Sequence, residues 1–231
     1  LCEELGHEVE EAEIQIDSER VAFAYLIIVA AETTHLLNRV CDYMKRRPKI
    51  DELEALTHLT VRGGLHFSAA DYCDAVHTLD VTRLQVAQFF DRYDMVMTPT
   101  LATPPPRIGE LIPNKLHERI MLELLSRVSI GPLMKLAFKM MSANGFRFAP
   151  YCVLFNITGQ PAMSVPLGMS SEGLPMGTHV VGQHGADGLL LRLAAQLERA
   201  RPWDMKAPKN VLAELGKTKE MIEKDSMRGH P

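Results

Sequence analysis

Nothing in the 231 residues brings two cysteines together. Cys2, Cys41, Cys73 and Cys152 are widely scattered and form no C-x-x-C pair. That spacing supports neither a zinc site nor a disulfide framework, so no metal is expected and a reduced, cytoplasmic setting is. A basic excess is missing as well. The net charge is −4, and a chain without a positive surface cannot neutralise phosphates, which argues against a nucleic-acid partner. Long apolar runs are also lacking. The longest, Val21 to Ala31, spans 11 residues, short of the roughly 20 that cross a bilayer. It has no basic lead of the signal-peptide kind, so a buried helix and no membrane partner are expected. Internal repeats and low-complexity stretches are absent too.

What the chain does contain suffices for a core. Apolar residues make up 46% and charged residues 23%, the composition of a globular protein of one large domain or a domain and a half. The first residue is Leu1, and Leu1-Cys-Glu-Glu-Leu-Gly6 reads as the last turn of a helix with a glycine stop, so a preceding segment is expected. The imperfect alternation from His7 to Ile16 predicts a strand. A long helix follows from Ser18 to about Arg47, closed by Pro48, and further helices are expected over Asp51–Arg62 and Ala69–Tyr93. Ser68 is placed to cap the second of these.

Met95-Val96-Met97 predicts a short strand that runs into Thr98-Pro99-Thr100 and the triple proline Pro104 to Pro106. Proline lacks an N–H, so the chain must leave the sheet there. Asn114 to Met141 reads as helix, rich in methionine at Met121, Met134, Met140 and Met141, and Gly145 to Pro150 breaks it. Ala162–Pro166 and Gly177–Gly182 predict two strands, joined by a hairpin-like connection through Gly168, Gly173 and Pro175. Asp187 can cap a last helix with Leu190, Leu193, Ala194 and Leu197 on one stripe, stopped by Pro202.

Several of these segments share a pattern. Phe90-Asp-Arg-Tyr-Asp-Met-Val-Met-Thr-Pro-Thr100, Phe155-Asn-Ile-Thr-Gly-Gln-Pro-Ala-Met-Ser-Val-Pro166, Gly173-Leu-Pro-Met-Gly177 and the terminal helix ending in Pro202-Trp203 resemble blocks of the amidase-signature family. They stand in the family's order, and Leu5-Gly-His-Glu-Val9 is similar to the segment that follows its catalytic core. The stretch Pro104-Pro-Pro-Arg-Ile-Gly109 resembles the branch containing 6-aminohexanoate cyclic dimer hydrolases. The resemblance implies an α/β fold, the C-terminal portion of the amidase-signature fold with a mixed β-sheet covered by helices. It runs over residues 1–203, with a charged tail over 204–231.

The resemblance further implies hydrolysis of a small-molecule amide without a cofactor. A serine attacks the carbonyl, a second serine in a cis peptide relays its proton to a neutral lysine, and backbone N–H groups hold the oxyanion. Those residues lie in the family's N-terminal half and have no counterpart here, so no catalytic residue is assigned and the chain alone is expected to be inactive. The missing half and a second copy of the chain are its expected partners. The alternative is a non-catalytic remnant that binds or packs against something else.

Near the substrate pocket the resemblance places Thr98, Pro99 and Thr100, then Asn156, Gly159, Gln160 and Pro161. The plainer role of Gly159 and Pro161 is a tight turn into a buried strand. Asn156, beside that strand, needs a hydrogen-bond partner that backbone could supply. The methionine-rich helices are read as core rather than as a substrate cover. Ser170-Ser171, in Gly168-Met-Ser-Ser-Glu-Gly173, mimics a nucleophile loop but reads as turn residues. Glu32 and His35 have the spacing of a di-iron helix without the second motif such a centre needs, and His117-Glu118 lacks the second histidine of a zinc protease helix.

Overall fold

The structure is a computed structural model and describes residues 1–49, 52–108, 131–145 and 149–203. Expectations that fall on other residues lie outside the described residues: the first half of the methionine-rich helix with Met121, the His117-Glu118 pair, and the tail from residue 204. Residues Leu1–Ala194 form one compact unit, and a second unit begins at Ala195.

A short 3-10 turn, Glu3–Leu5, is closed by Gly6 in the left-handed region (φ 90°), whose N–H donates to Glu3. Residues 7–17 then run without regular structure, which corrects the strand expected over His7–Ile16. Alternation alone makes no strand, because a strand needs a neighbour to take its backbone hydrogen bonds. Here side chains hold the segment instead. Glu10 accepts from Arg92 at 2.7 Å and from Tyr93 at 2.5 Å, and Ile14 packs on a core cluster.

Helix α1 spans Ser18–Met44, with the Asp17 carboxylate accepting from the Arg20 N–H at 3.0 Å. It ends at a left-handed Lys45 (φ 54°), three residues ahead of Pro48. Helix α2, Ala55–Gly64, starts later than expected. The Glu52 carboxylate accepts from the Lys49 N–H at 2.8 Å and from Arg46 at 2.7 Å, which ties Glu52 to the end of α1 rather than into a helix. Helix α3 is Ala69–Phe89, and Ser68 caps it in a reciprocal pair with Asp71: the Asp71 N–H donates to the serine hydroxyl, and the Ser68 N–H to the carboxylate. It stops short of Tyr93, whose ring stacks back on Phe89 at 4.6 Å.

Strand β1, Met95–Pro99, is followed by helix α4, Gly131–Gly145. Helix α5, Pro150–Thr158, was not anticipated. Pro150 reads as a breaker, yet proline fits the first helical turn, where no N–H partner is needed. Strands β2, Ala162–Met169, and β3, Pro175–Gly182, form the hairpin, and helix α6 is Asp187–Ala200. In the hairpin turn, the Ser170 hydroxyl accepts from the Leu174 N–H at 3.0 Å and Gly173 is left-handed (φ 77°). The paired serines are thus turn residues. The three strands lie in the order β1-β3-β2, all antiparallel among the described residues.

Small residues set the helix spacing. Gly64 lies against the Ala30 carbonyl and the Thr34 hydroxyl, and Gly63 under the Phe138 ring, so neither place could hold a Cβ. The Thr34 hydroxyl lies 2.7 Å from the Ala30 carbonyl and 3.0 Å from that of Val61. One cluster joins Val21, Ala24 and Ile27 of α1 to Ala75 and Leu79 of α3 and Ile157 of α5; another joins Ala30 and Leu59 to Met134 and Phe138 of α4. Met134 is core, as expected, whereas Met140 is exposed. With 27 residues, α1 is by length and composition apolar enough to cross a bilayer, unlike the 11-residue run inside it. Its first half is nonetheless a packed core helix.

Asp71 links the starts of α3 and α4. Its carboxyl is held down to about 2, first by the Lys135 ammonium at 2.8 Å and then by the Ser68 N–H and hydroxyl. A depressed carboxylate contributes stability that is present above its unfolded value near 4 and is lost as the pH falls toward 2. Urea unfolding across that window should therefore show a steeper acid loss for the native chain than for Asp71→Asn; equal slopes would remove Asp71 from the account.

Candidate functional site

Side chains alternate across a strand, so register partners share a face. Thr98 of β1, His179 of β3 and Ser164 of β2 stand in one such row. The same face carries Val181, which packs with Val86 and Phe90 from the α3 end and Phe155 of α5. Helices therefore cover this face at its Val181 end, and the polar row runs from buried His179 and half-buried Thr98 out to exposed Ser164.

One hydrogen bond crosses the middle strand. Thr100 Oγ1 lies 2.6 Å from Ser164 Oγ, and Gly177 of β3 sits between them. A Cβ on Gly177 would stand 2.5 Å from the serine oxygen and 2.6 Å from the threonine oxygen. Only glycine leaves room for the two hydroxyls to meet. The Thr100 N–H donates to the Gly177 carbonyl at 3.0 Å, and the Cys152 thiol of α5 donates to the Thr100 carbonyl at 3.3 Å. Thr100 is thus held through its N–H, its carbonyl and its hydroxyl by three different elements.

His179 was not singled out from the sequence, although it is the one imidazole in an otherwise apolar or small-residue strand. It is buried, its ring centroid is 5.7 Å from that of Phe155, and its Nδ1 is 3.3 Å from Thr98 Oγ1. Burial pushes its titration below the usual histidine value, which favours a neutral ring able to share one proton with the threonine hydroxyl.

The second group of expected residues forms the turn from α5 into β2. Gly159 is left-handed (φ 82°) and caps α5 through its N–H to Phe155 at 2.8 Å, and the Pro161 carbonyl accepts from Gly182 at 3.1 Å. Both serve the turn, as their plainer reading had it. Between them Gln160 is 6% exposed, and among the described residues neither its amide oxygen nor its amide nitrogen has a partner. A buried primary amide with both ends unpaired is rare and costly. Asn156 lies on α5 and is exposed, not beside a buried strand. The unanticipated helix turned that side chain outward. Pro99 is exposed at the end of the edge strand, where a missing N–H does least harm. The structure therefore brings Thr98 and Thr100 together with β2 and β3, and leaves Asn156 apart.

Other groups are committed elsewhere. Glu32 accepts from the Tyr72 hydroxyl at 3.0 Å, His35 is exposed, and no group of three or more His, Cys, Asp or Glu among the described residues could hold a metal. Two surface clefts, of about 530 Å³ at the end of α1 and about 310 Å³ between α1 and α3, include none of the motif residues.

The fold and this junction define an α/β chain in which glycine- and proline-marked turns gather three strands against helices. Residues 1–191 match the Amidase family profile, and the chain belongs to that family. It is 28% identical over 206 residues, 88% of its length, to the 6-aminohexanoate-cyclic-dimer hydrolase of a Pseudomonas strain. It is 40% identical over 117 residues, 50% of its length, to the enzyme of the same name from Paenarthrobacter ureafaciens. A solved structure of 6-aminohexanoate cyclic dimer hydrolase with its substrate superposes with a TM-score of 0.68 at 29% identity, over 89% of this chain. The chain spans 39%, 20% and 40% of the lengths of these three proteins.

Replacing Gly177 by alanine should force the Thr100 and Ser164 hydroxyls apart and cost about 1–3 kcal/mol of stability. In a Ser164→Ala background the cost should shrink, because one of the two obstructing oxygens is gone. Urea unfolding of the four chains checks this, and strict additivity would mean that Gly177 does not serve the hydroxyl bridge.

Proposed function

We propose that this chain works as one part of an amide-hydrolysing enzyme, supplying a sheet and one wall of the pocket for a small-molecule amide. The observation that carries the reading is the family match over residues 1–191. The junction of the Thr-Pro-Thr, Pro-Ala-Met-Ser and Gly-Leu-Pro-Met-Gly motifs at a single hydrogen bond supports it. In this reading Thr98, Pro99, Thr100 and the Gly159-Gln160-Pro161 turn face the substrate side, with Asn156 at their margin. The unpaired Gln160 amide, a donor and an acceptor side by side, has the chemistry to complete itself against another amide or a backbone segment. The substrate is an amide of the kind for which the 6-aminohexanoate-cyclic-dimer hydrolases are named.

The attacking serine and its base are not among these residues in our reading. Ser164 is engaged with Thr100, Ser170 holds the hairpin turn, and Lys135 is paired with Asp71. An unactivated hydroxyl is a poor nucleophile without an adjacent base. The four scattered, unbridged cysteines support a reducing, cytoplasmic setting.

The purified 231-residue chain should show no turnover on a panel of linear and cyclic amides, and no labelling by a serine-directed covalent probe. Turnover with a labelled serine would overturn the assignment of the nucleophile elsewhere, and Ser164, Ser170 and Ser171 would be the positions to map.

A further inference from the structure

Charge is divided unevenly along α1 and its approach. Residues 1–19 contain eight carboxylate side chains and no lysine or arginine. Residues 36–49 contain Arg39, Lys45, Arg46, Arg47 and Lys49 against the single acid Asp42, in a chain whose net charge is −4. Some of the basic groups have a local use: cations suit the C-terminal end of a helix, and Arg46 pairs with Glu52. Arg39 and Arg47 flank something else. Leu36, Val40, Tyr43 and Met44 follow helical spacing on one face of α1 and are exposed, Tyr43 to 87% and Leu36 to 60%. An apolar stripe edged by arginines is an unfinished surface.

The acidic segment cannot finish it within one chain. It is held at the other end of α1 by the bonds of Glu10 to Arg92 and Tyr93 and by the packing of Ile14. The 27 residues of α1 place the helix ends about 40 Å apart. That is several times the screening length of about 8 Å at physiological salt. Within the segment, exposed Val9 is flanked by exposed Glu8 and by Glu10 and Glu11. Acid, apolar and acid on one surface match arginine, apolar and arginine on the other.

We propose that the acidic segment around Glu8–Glu11 of one copy docks on the Arg39–Arg47 end of α1 of a second copy of this chain. Val9 covers the Val40–Tyr43 stripe, and the carboxylates meet the guanidinium groups. Each copy carries both halves of the contact, so association needs no other partner. A bilayer of acidic lipid would attract the basic end but repel the acidic segment, which is why a second copy fits better.

Sedimentation of the full 231-residue chain at low and at high salt tests this, with Glu8→Lys/Glu11→Lys and Arg39→Glu/Arg47→Glu as paired charge reversals. Each reversed chain alone should self-associate roughly tenfold more weakly than the native chain, and added salt should weaken the native association. An equimolar mixture of the two reversed chains should restore association, because both contacts between them are complementary, native carboxylates on native arginines and introduced lysines on introduced glutamates; that recovery also shows that both fold. A native chain that stays monomeric, association indifferent to reversal and salt, or binding to vesicles of acidic phospholipid by a monomeric chain would each overturn the proposal.

Discussion

Strand β3 is paired on both sides, to β1 and to β2, and everything else in the described sheet follows from that arrangement. Its backbone groups are used on both edges, its Val180 and Val181 are fully buried, and its two faces have different neighbours. On one face Val181 meets the α3–α5 cluster. On the other, Gly182 admits Ala186 and Leu190 at the start of α6. A central strand with no spare backbone hydrogen bonds cannot shift register without turning its apolar set outward. The positions of Thr98, Thr100 and Ser164 are therefore fixed by β3, although none of them belongs to it.

That arrangement explains where polar chemistry concentrates. The sheet is apolar where helices cover it, and next to that cover the row through His179 leads from a buried imidazole to the exposed hydroxyl bridge over Gly177. Polar groups at or near a covered face persist where they satisfy one another. Thr100 meets this condition three times over, whereas Gln160 does not meet it at all. The contrast separates residues that hold the junction together from the one whose hydrogen-bonding capacity is left open, which is the more informative position for an amidase-family surface.

Helix α1 joins two different environments. Its first half is packed against α3 and the cluster around Met134 and Phe138, with glycines at 63 and 64 allowing the close approach of α2. Its second half leaves the apolar residues Leu36, Val40, Tyr43 and Met44 exposed beside arginines. Helical periodicity is the same in both halves; only the presence of neighbours differs.

Local chemistry determined much of this protein from the sequence alone. The Ser68 cap, the glycine stop at Gly6, the hairpin through Gly173 and the turn roles of Gly159 and Pro161 depend on residues close in the chain, so composition sufficed to place them. The family's motif order was legible for the same reason, since glycines and prolines mark turns wherever they occur. What the chain could not disclose was pairing at a distance. Residues 7–16 alternate like a strand but find no partner strand among the described residues, and Pro150 opens a helix where it reads as a break. His179 joined the row of Thr98 and Ser164 only when β3 came to lie between β1 and β2, and Asn156 came to face solvent only when α5 formed. Backbone conformation is set by neighbours in sequence, whereas burial and hydrogen-bond partners are set by neighbours in space, and only the tertiary structure decides those.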